Sequence, residues 1–305
     1  MIPDFQSIML PLLNLLSDKN EWNIRTIVEK LAEHFNLTDE ERRELLPSGR
    51  QPVFNNRVGW AKTYMKKAGL LDSPKRTTVV IAQRGLDVLS QNPLKINIKY
   101  LKQFPEFIEF VKPKKDKSTN EKENKHDEAD IQTPDEIIEN AYQEIRESLA
   151  NELLAKVMEL SPTFFERLVI ELLVKMGYGG SIKEAGKAIG KSGDEGIDGT
   201  IKEDKLGLDI IYIQAKRWQS SNTVSRPEIQ KFAGALQGKR AKKGIFISTS
   251  SFTKDAAEYV KTIDSKIILI DGKQLAQLMI DYDTGVSKGT NYEIKKIDTD
   301  YFSEE

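Results

Sequence analysis

The chain of 305 residues has no cysteine. That excludes a disulfide framework and a thiolate metal site, and a reducing cytoplasm is the compartment expected for it. Histidine is nearly as scarce: His34 sits at the end of a helical pattern and His126 in a charged run. Two such residues, with no cysteine, leave little material for a zinc site or a histidine-centred nuclease. No apolar run is long enough to span a bilayer. The first residues, MIPDFQSIMLPLLNLL, lack a basic region and are interrupted by Pro11, so a signal peptide is not expected. One-sided charge is missing too. The formal net charge is −1, so a protein that coats DNA by bulk attraction is excluded and any nucleic-acid surface must be local. What is present is enough apolar residue, 39%, to bury a core, in a length that predicts two domains.

The stretch with most chemistry runs from Gly190 to Trp218. Gly193-Asp194-Glu195-Gly196-Ile197-Asp198-Gly199 reads as a glycine-rich turn that sets Asp198 at the mouth of a strand. Ile210-Ile211-Tyr212-Ile213 then reads as a buried strand that breaks into Gln214-Ala215-Lys216. Alternate strand residues share a face, so Tyr212, Gln214 and Lys216 point together. An acid beside an acid or amide, followed two residues later by lysine, suits phosphodiester hydrolysis. Oxygen ligands hold a magnesium ion, and the lysine orients or deprotonates water and offsets charge on the phosphate. On charge alone Asp194, Glu195, Asp204 and Asp209 compete with Asp198.

Asp198 followed by Gln214-Ala215-Lys216, with GDEGID before and LGLD between, resembles the Mrr family of restriction endonucleases over most of residues 150 to 282. The resemblance implies the α/β PD-(D/E)xK restriction-endonuclease-like fold, with glutamine replacing the middle acid. It selects Asp198 through the family's Ile-Asp-Gly. Asp198, the Gln214 side-chain oxygen and the Ala215 carbonyl are the implied Mg2+ ligands, and Lys216 the residue that assists water. It also points to Glu166, on a helix running from Thr163 to Met176, as an acid that completes the site; an ordinary half-exposed helix acid is the other reading.

The first hundred residues carry the local positive charge. Apolar helical patterns at Leu12–Leu16 and Thr26–Leu31 precede a capped start at Thr38 and a longer helix from Pro52 to Ala68. Leu70 to Ile81 then reads as a hairpin with a basic tip at Lys75-Arg76. Helices followed by a basic hairpin describe a winged helix-turn-helix, and this region also resembles the N-terminal domain of Mrr proteins. From Arg42 to Arg84 there are ten Lys or Arg against two acids, Glu44 and Asp72. Arg50, Lys62, Lys66, Lys75 and Arg76 are candidates for phosphates, and Asn55, Asn56 and Arg57 for base edges. A protein-binding module with a merely solvated basic face is the competing reading.

The expected organisation is a winged-helix domain over 1–110, a charged linker over 111–133 and a nuclease domain over 134–305. The linker alternates lysines with acids and has no aromatic residue, so it cannot fold alone. Beyond Lys216, strands and helices alternate, which argues a sheet covered on both faces. Lys239, Arg240, Lys242 and Lys243 either follow a DNA backbone or line a solvated loop. The resemblance implies a magnesium-dependent endonuclease that restricts foreign or methylated double-stranded DNA, acting as a dimer or larger homo-oligomer to cut both strands. A repair endonuclease and a DNA-binding regulator with a silent nuclease fold are the alternatives; the intact Asp198, Gln214 and Lys216 argue against the last.

Overall fold

In the computed structural model the described residues are 1–75, 77–111, 131–179, 197–204, 206–219, 221–295, 297 and 301. Arg76, Asp194, Glu195, His126 and nearly all of the charged run lie outside them. The chain divides into two units, Met1–Glu144 with Lys295–Glu305, and Ile145–Ile294.

In the first unit, α1 (Phe5–Leu15) starts at Asp4, whose carboxylate accepts from the Gln6 and Ser7 N–H groups at 2.9 and 3.0 Å. Such a cap satisfies donors that a helix start leaves open, and the helix continues through Pro11. Then come β1 (Trp22–Asn23), α2 (Ile24–His34), the short α3 (Asp39–Arg43) with a Thr38–Glu41 capping box, and α4 (Val53–Lys67). A hairpin follows, β2 (Leu71–Asp72) and β3 (Thr78–Ile81), with β3 central between β1 and β2, all antiparallel. Helices α5 (Gln83–Ser90), α6 (Ile98–Leu101) and α7 (Pro105–Val111) complete the compact part. Its core sets Phe5, Ile8, Met9, Leu12 and Leu13 of α1 with Phe54, Val58, Ala61 and Met65 of α4, all buried. Each of the larger side chains among them contributes about 1.5–3 kcal/mol through burial.

Helix α8 (Pro134–Glu159) begins in the first unit and ends in the second. Thr133 starts it: Glu136 N–H donates to Thr133 Oγ1 and Thr133 N–H to Glu136 Oε2, at 3.2 and 2.8 Å. The second unit continues with α9 (Pro162–Lys175), opened by Ser161 with Pro162 in its first turn. Its sheet runs β4 (Gly199–Lys202), β5 (Ile210–Lys216), β6 (Lys243–Ser248) and β7 (Lys266–Ile270) in that spatial order. β4 is antiparallel to β5, and the other neighbours are parallel. Between them lie α10 (Arg226–Gly238) and α11 (Lys254–Tyr259), with α12 (Gly272–Asp281) last. One face of the sheet buries Ile211, Ile213, Ile245 and Ile247 with Phe165, Val169 and Leu172 of α9. The other buries Phe246 with Ile229, Phe232 and Leu236 of α10. Gly244 permits that second layer, because a Cβ there would meet the Phe232 ring at 2.8 Å. The sheet covered on both faces is as expected, and it fixes the end of β5 where the candidate residues stand.

Candidate active site

Ile197 is buried and Asp198 N–H donates to the Ile213 carbonyl at 2.9 Å, so the chain enters β4 already tied to β5. The strand-to-strand register of β4 and β5 stops at Gly199 and Ile213. Beyond it a side chain replaces the backbone acceptor: Ala215 N–H donates to Asp198 Oδ2 at 2.7 Å. Gln214 Nε2 donates to the same oxygen at 2.9 Å, and Gln214 is only 4% exposed. In a strand, the N–H and C=O of one residue face the same edge. The Ala215 carbonyl is therefore turned to the edge that carries Asp198, where a metal ligand is wanted.

Electrostatics bring two more residues into the group. Burial pushes the Asp198 carboxyl above its usual range, opposed by the Ala215 N–H, the positive charge of Lys216 and the Gln214 hydrogen bond. Glu166, on α9, is also raised, first by burial and then by the negative charge of Asp198. Asp198 is thus in contact with Gln214, and the charges of Lys216 and Asp198 act on Asp198 and Glu166 in turn. Glu171, on the same helix, instead pairs with Lys175 at 3.2 Å.

The end of β5 is held by a hydroxyl network that the residue patterns did not single out. Ser248 Oγ donates to the Lys216 carbonyl, and Thr249 N–H donates to it as well, both at 3.2 Å. Trp218 N–H donates to Thr249 Oγ1 at 2.8 Å, and that hydroxyl donates to the Trp218 carbonyl at 2.6 Å. Ser248, Thr249 and Ser250 are all buried. A run of four hydroxyl residues, 248 to 251, at the end of an apolar strand was the available signal. Arg217 donates from Nη1 to the Met158 carbonyl at 2.7 Å, anchoring the same strand end to α8.

The described rival acids are engaged elsewhere. Asp204 accepts from the Leu206 and Gly207 N–H groups, closing a turn. Asp209 pairs with Lys243 at 2.9 Å, and Lys243 also pairs with Glu203. Lys243 of the Lys239–Lys243 cluster is thus paired with two acids of its own unit. A cavity of about 250 Å³ bounded by Lys243, Gly244 and Lys266 opens at the beginning of β6 and β7, away from the Lys216 end of the sheet.

In the first unit the candidates for DNA separate. Arg50, Lys66 and Lys75 are exposed, and Asn55 and Lys62 are partly so. Two candidates for base contact are committed internally, which corrects that reading. Asn56 is 2% exposed; its Nδ2 donates to Asp135 at 2.7 Å and its Oδ1 accepts from Thr133 Oγ1 at 2.6 Å. Arg57 donates from Nε and Nη2 to Glu136 Oε1 at 2.9 and 2.7 Å, and from Nη1 to the Ile2 and Pro3 carbonyls. Buried polar groups need partners, and the start of α8 supplies them.

Comparison with known proteins accords with this architecture. The profile of the Mrr catalytic domain, described as restriction endonuclease, matches residues 157–279, and the Mrr N-terminal domain profile matches residues 5–91. A protein of Escherichia coli (strain K12), the type IV methyl-directed restriction enzyme EcoKMrr, is 36% identical over 315 residues, covering 99% of each chain. The chain belongs to the Mrr family. Among solved structures, the DNA modification-dependent restriction endonuclease AspBHI aligns at 17% identity with a TM-score of 0.35. That alignment covers 46% of this chain and 36% of AspBHI. The MspJI restriction endonuclease, in complex with a 27-mer oligonucleotide, aligns at 20% identity and 0.34, over 44% of this chain and 31% of MspJI.

As an Mrr-family restriction endonuclease, the chain has a domain type that works with a divalent metal ion. The residues present fit one. Partial burial raises the carboxyls of Asp198 and Glu166 above their usual range, and the charge of Asp198 adds to the rise at Glu166. A cation between them would reverse that balance. No group of three or more His, Cys, Asp or Glu side chains arranged for a metal occurs among the described residues, so carbonyl oxygens and water would complete the set.

Proposed function

We propose that this Mrr-family chain is a magnesium-dependent endonuclease that cuts methylated double-stranded DNA, read by a winged-helix first unit. The observation that carries the site is the convergence of Ala215 N–H and Gln214 Nε2 on one oxygen of Asp198, beside the charge of Lys216. Asp198 and Glu166 would hold the ion with the Ala215 carbonyl, and Gln214 would join by turning its amide so that oxygen replaces nitrogen. When bound, Mg2+ supplies charge to polarise the phosphate. Close enough for its charge to act on Asp198, the Lys216 ammonium would orient the attacking water and offset the negative charge that builds on the phosphorus oxygens. The hydroxyl network at Ser248 and Thr249 keeps the Lys216 backbone in register while this happens. The preference for methylated DNA is supported by the full-length relative, a methyl-directed enzyme.

Purified protein with magnesium should cut methylated plasmid, leave unmethylated plasmid intact, and lose cutting by 10²-fold or more in Lys216→Ala, about the size seen when one charge-stabilising donor is removed. Equal cutting of both plasmids would keep the nuclease and sink the methylation reading. DNA binding without cutting by either protein would favour a silent regulator.

A further inference from the structure

Helix α4 has three sides in the folded unit. Phe54, Val58, Ala61 and Met65 face the core. Asn56, Arg57 and Trp60 are held by the start of α8, with Trp60 Nε1 donating to Asp135 at 3.2 Å. The third side carries Asn55, Gly59, Lys62, Thr63 and Lys66, spaced i, i+4, i+7, i+8 and i+11 along one stripe. None of these five is buried.

Gly59 is the informative member. Its backbone is ordinary helix, without a positive φ, and a Cβ built on it would meet nothing within 4 Å. Gly234 on α10 shares that openness; Gly59 is the one flanked by Asn55 and two lysines on the helix before a hairpin. Glycine in a helix interior is less favourable than alanine by about 1 kcal/mol, through lost backbone entropy. Among the described residues, no side chain packs where a Cβ at Gly59 would stand. Glycine is, however, the residue that lets another molecule's backbone approach closely. Lys62 and Lys66 lie on either side of a turn, near enough that burial and then the charge of Lys66 weaken the proton affinity of Lys62. An anionic partner would relieve both effects.

The geometry points to the Asn55–Gly59–Lys62–Lys66 stripe as the surface of α4 that enters duplex DNA, with Gly59 the point of closest approach. The inference rests on the proposed DNA-cutting function. It moves the reading surface around the helix from Asn56 and Arg57, which the α8 carboxylates occupy. Glu139 extends that acidic border, accepting from Ser48 N–H and Oγ at 2.8 Å. Phosphates are repelled from the α8 side and admitted on the lysine side.

The test is a methylated duplex fragment titrated against the full chain and two variants, each also melted thermally. Gly59→Ala should raise the melting temperature by roughly 3 °C, since alanine is the better helix former, and weaken DNA binding tenfold or more. A more stable protein that binds less well cannot be explained by misfolding. Asp135→Asn with Glu139→Gln, which keeps the Arg57–Glu136 pair, should change affinity by less than about threefold. Unchanged binding by Gly59→Ala would overturn the inference and leave the nuclease reading standing. Binding tightened tenfold by the Asp135/Glu139 variant would also overturn it, because DNA would then be competing for the α8 side of the helix. No binding by the wild type would sink the underlying function as well.

Discussion

In Gln214 the chain has an amide where a third carboxylate would strengthen a cation site, and that amide donates to Asp198 rather than competing with it. The substitution Gln214→Glu separates two effects. Without metal, the variant sets a second buried carboxylate against Asp198 and removes a donor. It should lose about 1–3 kcal/mol of stability, read as a lower melting temperature. With metal, the added charge should lower the magnesium concentration needed for half-maximal cutting, read by titrating plasmid cleavage. Melting of both proteins with and without magnesium checks the coupling: the variant should gain more on adding the ion. Equal gains would mean that position 214 does not face the metal. The residue pattern alone could pair Asp198 with Gln214 and Lys216, because strand alternation fixes which side chains share a face. It could not show that Gln214 faces the acid with its nitrogen, which depends on the packing around it.

Elements with strong apolar patterns were legible: β5 and α9 lie close to where their periodicity places them, and strands alternate with helices beyond Lys216 as the pattern expects. Others left no such trace. β1 has two residues, too few for an alternating pattern, and it exists because β3 offers it an edge. α1 starts well before the Leu12–Leu16 run, because Asp4 caps it. The Asp4 carboxyl is pushed up by burial but pulled further down by the Ser7 hydroxyl and the Ser7 and Gln6 N–H groups, ending below its ordinary value. A depressed carboxyl contributes stability above its unfolded pKa and loses it as pH falls through the folded pKa. Asp4→Ala should therefore destabilise the first unit by about 1 kcal/mol at neutral pH. Denaturant melts at acid pH below both values should show the difference vanish. Asn56 and Arg57 were misread for another reason: their partners lie 79 residues away. Local spacing separates core-facing from outward-facing positions, but not which distant segment covers the outward side. Arg57→Ala should show the commitment, leaving Glu136 buried without its cation at about 3–5 kcal/mol. A loss under 1 kcal/mol in the same melts would return Arg57 to the surface.

For the whole molecule, charge is segregated rather than absent: a net of −1 includes ten cations against two acids between Arg42 and Arg84. Association with DNA should therefore weaken steeply with salt despite the neutral total. The chemistry is also singular, since each chain carries one Asp198, one Gln214 and one Lys216, while a duplex has two strands. The homo-oligomer that the family resemblance implies would make a double-strand break with two chains, each cutting one strand. Mixing wild type with Lys216→Ala tests this, provided the subunits exchange before DNA is added. With equal amounts, about a quarter of pairs hold two competent sites and about half hold one. Linear plasmid should fall to about a quarter of the wild-type yield, while nicked circles accumulate from the mixed pairs. If single chains acted in succession, linear product would fall only in proportion to the wild-type share, and nicked circles would be transient. Gel quantification of nicked and linear plasmid over a mixing series distinguishes a squared from a linear dependence, and so decides whether the second strand is cut by a second chain.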